Sequence, residues 1–382
     1  MSPFGLRVRR FCGALSAAPR AGRSAPEPPA EAGPPPLQRG GQPPLPPAAA
    51  APPSAKRQKI TLWAGGAAVV LIVLVIIVLS YPASRQPLAY VPRGQTAVQV
   101  VDVRQFLSGP VYPLLDAAEH PALRRLHEIE KSYDVSLRRD VAVVVTTDNS
   151  VILFGRFQPE RLRVRFEELI EEQEKDLNLR RQPAAQLEIQ EADVKGYKYY
   201  FCDQAGVARA FTGLGSSVAC FGDRWSVRGF LRARAGLRDR VLGDEGFAAA
   251  YSAPLARSAF LYRLEKPGAR VLTLLKDVLG AAGEGVHAAF FAVTASEKAV
   301  RLTLRFVARD PKTAERLENQ FSKASTQVAL RPFLGTDAAF QVARVDRTVA
   351  LESEVPVDQL DEIIDKDKEG QTTNLVLALI AS

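Results

Sequence analysis

VAVVVTTDNSVILFGRFQPERLRVRFEEL, residues 141–169, sets the expectation for the fold. Two apolar, β-branched runs at 141–146 and 151–157 flank Thr147-Asp148-Asn149-Ser150, a polar turn between strands and therefore a hairpin signal. Gln158-Pro159 follows and opens a charged helix that runs to about Leu177. Proline suits the first helical turn because the N–H it lacks would have no partner there.

The same device recurs downstream. Apolar runs at 286–294 and 299–307 enclose Ala295-Ser296-Glu297-Lys298, and Asp310-Pro311 begins a helix to about Val328. A weaker third instance pairs strands at 339–344 and 348–354 and leads through Pro356 into a helix over 357–365. Further strands are expected at 98–103, 186–191, 197–202, 208–212, 217–221 and 258–264. Helices are expected near 105–115, 122–131, 226–234, 246–253 and 269–282. Because hairpins outnumber isolated strands, the expected class is α+β, with antiparallel sheets and helices packed on one face. Two similar subdomains are expected, 92–255 and 256–370, with a short C-terminal segment at 371–382.

Upstream lies a different kind of sequence. Residues 60–80 hold 21 positions without a charge. As a helix they would extend roughly 31 Å, the thickness of a bilayer core. Residues 1–59 precede this run and contain 14 of the 27 prolines with few large apolar side chains, a composition expected to stay disordered. Nine basic residues against two acidic ones before residue 84 account for +7 of the chain's +8. The remaining 299 residues are close to neutral, so the charge gives no support for nucleic-acid binding by the large domain.

Lys56, Arg57 and Lys59 sit directly before the run and favour a cytoplasmic N-terminus. The expectation is a single-pass signal anchor in the cell membrane, a linker at 81–91 and an extracytoplasmic domain. The first 25 residues, with five arginines and no acid, also fit a mitochondrial transit peptide, which leaves that membrane as the second reading.

Chemistry-bearing motifs are few. There is no G-x-S-x-G, and Gly213-Leu214-Gly215-Ser216-Ser217 has neither the lysine of a phosphate loop nor a third glycine. Cys202 and Cys220 lie 18 residues apart in the exported part. A bond between them would stabilise by about 3 kcal/mol, and two small buried residues is the alternative. His120 and His127 lack the convergent ligands of zinc, and His287 reads as a core histidine.

Asp365, Asp367 and Glu369 before Gly370 imitate the first half of a calcium loop, but Val376 stands where the bidentate glutamate belongs. No cofactor is expected. Arg224, Arg228 and Arg232 recur at i+4 spacing, with Arg234, Arg238 and Arg240 behind them, and form the best candidate for a binding stripe.

Val91-Pro92, the strand carrying Val101-Asp102, the run at 151–157 leading into Pro159, and Gly196-Tyr197 through Tyr200 together resemble a group of bacterial single-pass membrane proteins with an extracytoplasmic domain of unknown function. The resemblance implies a tethered domain and transfers no catalytic residue. The leading expectation is a non-enzymatic binding or scaffold module for an envelope protein, lipid or polymer. The alternative is a membrane-tethered hydrolase whose site sequence order hides.

Overall fold

A computed structural model describes residues 86–179, 187–204, 207–275, 279–334, 340–368 and 374–381. The apolar run at 60–80 lies outside them. Among the described residues no helix is long and apolar enough to cross a membrane.

The strands are β1 Ala97–Asp102, β2 Val141–Thr147, β3 Ser150–Gly155, β4 Gln190–Val194, β5 Tyr197–Gln204 and β6 Val207–Leu214 in the first half. They continue with β7 Val218–Gly222, β8 Leu261–Glu265, β9 Val286–Ala295, β10 Ala299–Ala308, β11 Gln341–Val345 and β12 Thr348–Pro356. The helices up to residue 258 are α1 Val103–Ser108, α2 Val111–Ala117, α3 Arg124–Tyr133, α4 Pro159–Leu179, α5 Arg224–Arg234, α6 Glu245–Ala250 and α7 Ala253–Ser258. Beyond it come α8 Arg270–Leu274, α9 Pro311–Phe321, α10 Ala324–Leu334, α11 Leu360–Lys368 and α12 Leu375–Ile380.

Each quoted turn closes a hairpin, with Val145 opposite Ile152 in β2–β3 and Leu302 opposite Val293 in β10–β9. Asp148 in the first turn does more than reverse the chain. Its carboxylate accepts from the Thr96 N–H at 2.7 Å and hydroxyl at 2.6 Å, fastening the hairpin to the start of β1. Pro159 and Pro311 both begin helices, as the sequence predicts.

The strands form one antiparallel sheet of order β11-β12-β10-β9-β8-β1-β2-β3-β7-β6-β5-β4. The two halves therefore meet strand to strand, β1 against β8, with Gln99 opposite Arg263. Outward from that pair the order is the same on both sides: a strand, a hairpin, then the last strand of the following meander.

The helices do not lie on one face. Val101, Val144, Leu153, Phe291 and Leu304 point into one core beneath α1–α4 and α8–α12. Val100, Val145, Ile152, Phe154 and Phe290 point into a second core that includes Val227, Phe230 and Leu231 of α5 and Phe247 of α6. The physical reason is in the sequence. Runs such as Val141–Thr147 are apolar at successive positions, and a strand can bury both sets of side chains only between two layers.

The second layer is incomplete. After β7 the chain turns onto this second face as α5, whereas after β12 it turns to the first, where Leu360 and Ile364 of α11 are buried. The second face of β10-β12-β11 carries Thr303, Arg305, Ala343, Val345, Ala350 and Glu352 around an open groove of about 470 Å³.

The chain enters the folded unit earlier than expected. Residues 81–91 were assigned to a linker, but Leu88 and Val91, within and just after a 3-10 turn at Pro87–Tyr90, are buried in the second core.

Candidate binding surface

The sequence of α5 places Val227, Phe230 and Leu231 at i, i+3 and i+4, so one face is buried and the opposite face carries Arg224, Trp225, Arg228 and Arg232. The helix starts where the Asp223 carboxylate accepts from the Ser226 N–H at 2.6 Å. Arg224 and Arg228 are half-buried there and Arg232 is exposed.

Its members have different surroundings. The Arg224 guanidinium stacks 4.0 Å from the Phe201 ring centre and lies 3.8 Å from Asp203. Arg228 lies 5.9 Å over Trp225, whose indole is 71% exposed. Arg232 and Arg234 are exposed, and Arg234 covers Tyr90 at 5.5 Å. Beyond the helix, a turn through Gly236 (φ +70°) presents Leu237 to solvent and sends Arg238 to the Arg93 carbonyl at 2.9 Å.

From 224 to 240 there are six arginines and one acid, Asp239, which pairs with Arg93 at 3.4 Å. Among the described residues Arg228, Arg232 and Arg234 have no carboxylate within ion-pair distance. A row of guanidinium groups beside an exposed indole can bind phosphate or carboxylate oxygens through the former and apolar matter through the latter.

Arg234 also reaches the rim of a groove of about 700 Å³ around the β5 and β6 strand ends. Arg163, 5.7 Å over Tyr200, and Lys198, bound to Glu191 at 2.8 Å, line the same groove. The sequence reading missed Trp225, Arg163 and Lys198. The signal available for Trp225 was a large aromatic on the polar face of an otherwise well-patterned helix.

Other expected sites separate in space. Cys202 on β5 and Cys220 on β7 are free and buried in different cores, with β6 between their strands. The possible bond does not form, because neighbouring strands stand about 4.8 Å apart and two strand positions exceed a disulfide's reach; the other reading, two small buried residues, describes them. Burial pushes both thiols up from their ordinary value.

Asp365 and Asp367 are within α11 rather than in a loop, so their side chains diverge around the helix, and Glu369 lies outside the described residues. Asp367 is otherwise engaged. It accepts from the Asn374 N–H at 2.8 Å and faces His120 Nε2 at 3.3 Å. Among the described residues no three His, Cys, Asp or Glu side chains are grouped to hold a metal ion.

His120 is buried, its Nδ1 accepting from the Ala122 N–H at 3.1 Å, whereas His127 is exposed. His287, expected in the core, is exposed because the β9–β10 pairing skips it: Val286 pairs with Ala308 and Ala288 with Val307, leaving His287 in a bulge.

No protein-family model matches the chain, and no curated protein matches it. Among solved structures, crystal form III of TP0453 aligns over 73% of this chain and 97% of its own, at 11% identity and a TM-score of 0.39. Crystal form I of TP0453 aligns over 73% and 96%, at 12% identity and a TM-score of 0.37. Both likenesses are distant and assign no activity.

Proposed function

We propose that this chain is a membrane-anchored protein whose folded unit lies on the extracytoplasmic side and works as a binding or scaffold module, of the kind seen in single-pass envelope proteins. The observation that carries this reading is the α5 surface, where Arg228 lies 5.9 Å over an exposed tryptophan and Arg232 shares the face, neither with a carboxylate partner among the described residues, on a domain that is otherwise near neutral. Such a cluster raises its own electrostatic cost unless a ligand meets it. The apolar run at 60–80, preceded by Lys56, Arg57 and Lys59, supports the anchor and its orientation. The matching element order on either side of β1–β8 supports an origin by internal duplication, in which each half supplies one flank of the sheet.

Two experiments test this. Alkaline-phosphatase fusions after residues 58 and 120 should be active at 120 and silent at 58, and the reverse pattern would overturn the topology. Crosslinking of full-length protein in its native membranes, with mass spectrometry of proteins and lipids, should return a ligand that is lost when Arg228 and Arg232 are changed to Glu. Retention of the same ligand by that variant would overturn the assignment of the surface.

A further inference from the structure

We infer that the outer face of α5 rests on the membrane in which the chain is anchored, with Trp225 at the interface and Arg228 and Arg232 on anionic lipid headgroups. The inference rests on the anchored reading of 60–80 and names the ligand of the surface described above.

Chain length is the first argument. The first described residue, Gln86, follows the end of the apolar run at Ser80 by six positions. At ~3.6 Å per residue the connection cannot exceed roughly 20 Å. The chain then enters the Pro87–Tyr90 turn, and that turn is packed on α5. Tyr90 stacks on Phe230 at 5.9 Å between ring centres, and the Arg234 guanidinium lies 5.5 Å from the Tyr90 ring centre. The tether therefore limits how far α5 can lie from the bilayer.

Composition is the second argument. Tryptophan is enriched where an amphipathic ring meets the headgroup layer, and arginine carries its charge to phosphate on an apolar stem that can lie along the acyl boundary. Trp225 is 71% exposed, and Leu237 in the turn after α5 is 42% exposed, a cost in water that partition into the interface removes. Charge is the third argument. The α5 surface is positive, so an anionic leaflet on its side of the membrane draws it closer and a neutral one does not.

The test uses the full chain carrying Trp63→Phe, which leaves Trp225 as the only tryptophan. It is reconstituted into vesicles of phosphatidylcholine alone or of phosphatidylcholine with phosphatidylglycerol. Flotation reports anchoring. Acrylamide from the aqueous side and brominated acyl chains from the membrane side report the position of Trp225.

The expected result is flotation in both lipids, but shielding from acrylamide and quenching by brominated chains only with phosphatidylglycerol. Both effects should be lost in high salt and in Arg228→Glu with Arg232→Glu, with an unchanged thermal midpoint. A chain that fails to float overturns the anchored reading and this inference with it. A chain that floats while Trp225 stays open to acrylamide in both lipids overturns the inference and leaves the anchor standing. Equal quenching in both lipids overturns the role given to the arginines.

Discussion

Arg263 and Glu265, two residues apart on β8, share one face of the strand, and the arginine Nε lies 2.5 Å from the glutamate carboxylate where both side chains are buried. The pair sits at the seam between the two halves. Arg263 also donates to Gln99 Oε1 at 2.9 Å across the β1–β8 pairing. Glu265 accepts from the Val271 N–H at 3.2 Å and the Leu272 N–H at 2.8 Å, which begins α8. The Arg263 guanidinium, the Glu265 carboxylate and the Gln99 amide oxygen are thus each met by a partner.

Removing Glu265 leaves the Arg263 charge buried with only the Gln99 amide oxygen to meet it. Glu265→Ala is expected to cost about 3–5 kcal/mol, the range for breaking a buried pair from one side. Urea unfolding of the full chain checks this, and a loss below about 1 kcal/mol would contradict the network.

Gly155 at the end of β3 is fixed by a close approach. A Cβ there would stand 1.8 Å from the Asp140 carbonyl oxygen, which is backbone and has no rotamer to change. Gly155→Ala is expected to destabilise by about 1–3 kcal/mol. Gly213→Ala, whose Cβ would meet only side chains at 3.6 Å and 3.9 Å, should cost clearly less. The ranking of the two urea midpoints is the test.

His120 gives the protein a pH dependence of known sign. Burial lowers its pKa from 6.5, and the neighbouring Asp367 carboxylate only partly offsets that. The unfolded chain therefore takes up this proton before the folded one, and stability should fall as pH drops below about 6.5 until the folded histidine also titrates. Comparing unfolding midpoints at neutral and mildly acidic pH should show a smaller drop for His120→Gln than for the parent. An identical drop would place the acid sensitivity elsewhere.

Asp244 caps α6, accepting from the Phe247 N–H at 3.3 Å, and pairs with Lys266 at 2.6 Å. Burial opposes its charge, but the lysine and the backbone donors win and hold its pKa below the ordinary carboxylate value. Its contribution is complete above the unfolded pKa and is lost as pH falls through the folded one. Asp244→Ala should cost about 0.5–2 kcal/mol at neutral pH, as for other caps, and the deficit should shrink toward strongly acid conditions. Denaturation of the two proteins at both pH values measures it.

Much of the element list was readable because the hairpins are built from β-branched runs bounded by polar turns, and because Pro159 and Pro311 mark helix starts. The layering was also present, but in the wrong column: unbroken apolar runs in β2 and β9 mean burial on both faces, which the expectation of a single helical layer ignored. β4 was misplaced by several residues since only Val194 is buried in it and a polar edge strand has no periodicity to find. The last helix, Leu375–Ile380, was not expected at all. Its six apolar residues fit strand or helix equally, and the deciding signal was Asn374, whose side chain accepts from the Val376 and Leu377 N–H groups. As for the binding surface, i+4 spacing gave the arginines, whereas their nearness to the tether depends on Tyr90 stacking on Phe230, a contact no local pattern encodes.

Central pairing between β1 and β8 also dictates when this protein can be finished. Val98 finds Leu264 only after the intervening sequence has been made and delivered. Until then β1 ends the first half as an open strand with Val98 and Val100 on one face and Val101 on the other. Contacts this distant in sequence slow folding, and an unpaired apolar edge is the template on which chains join one another. Nascent or truncated chains ending before residue 261 should therefore be clients of holdase chaperones in whichever compartment receives them, and the arrival of β8 is the event that releases them.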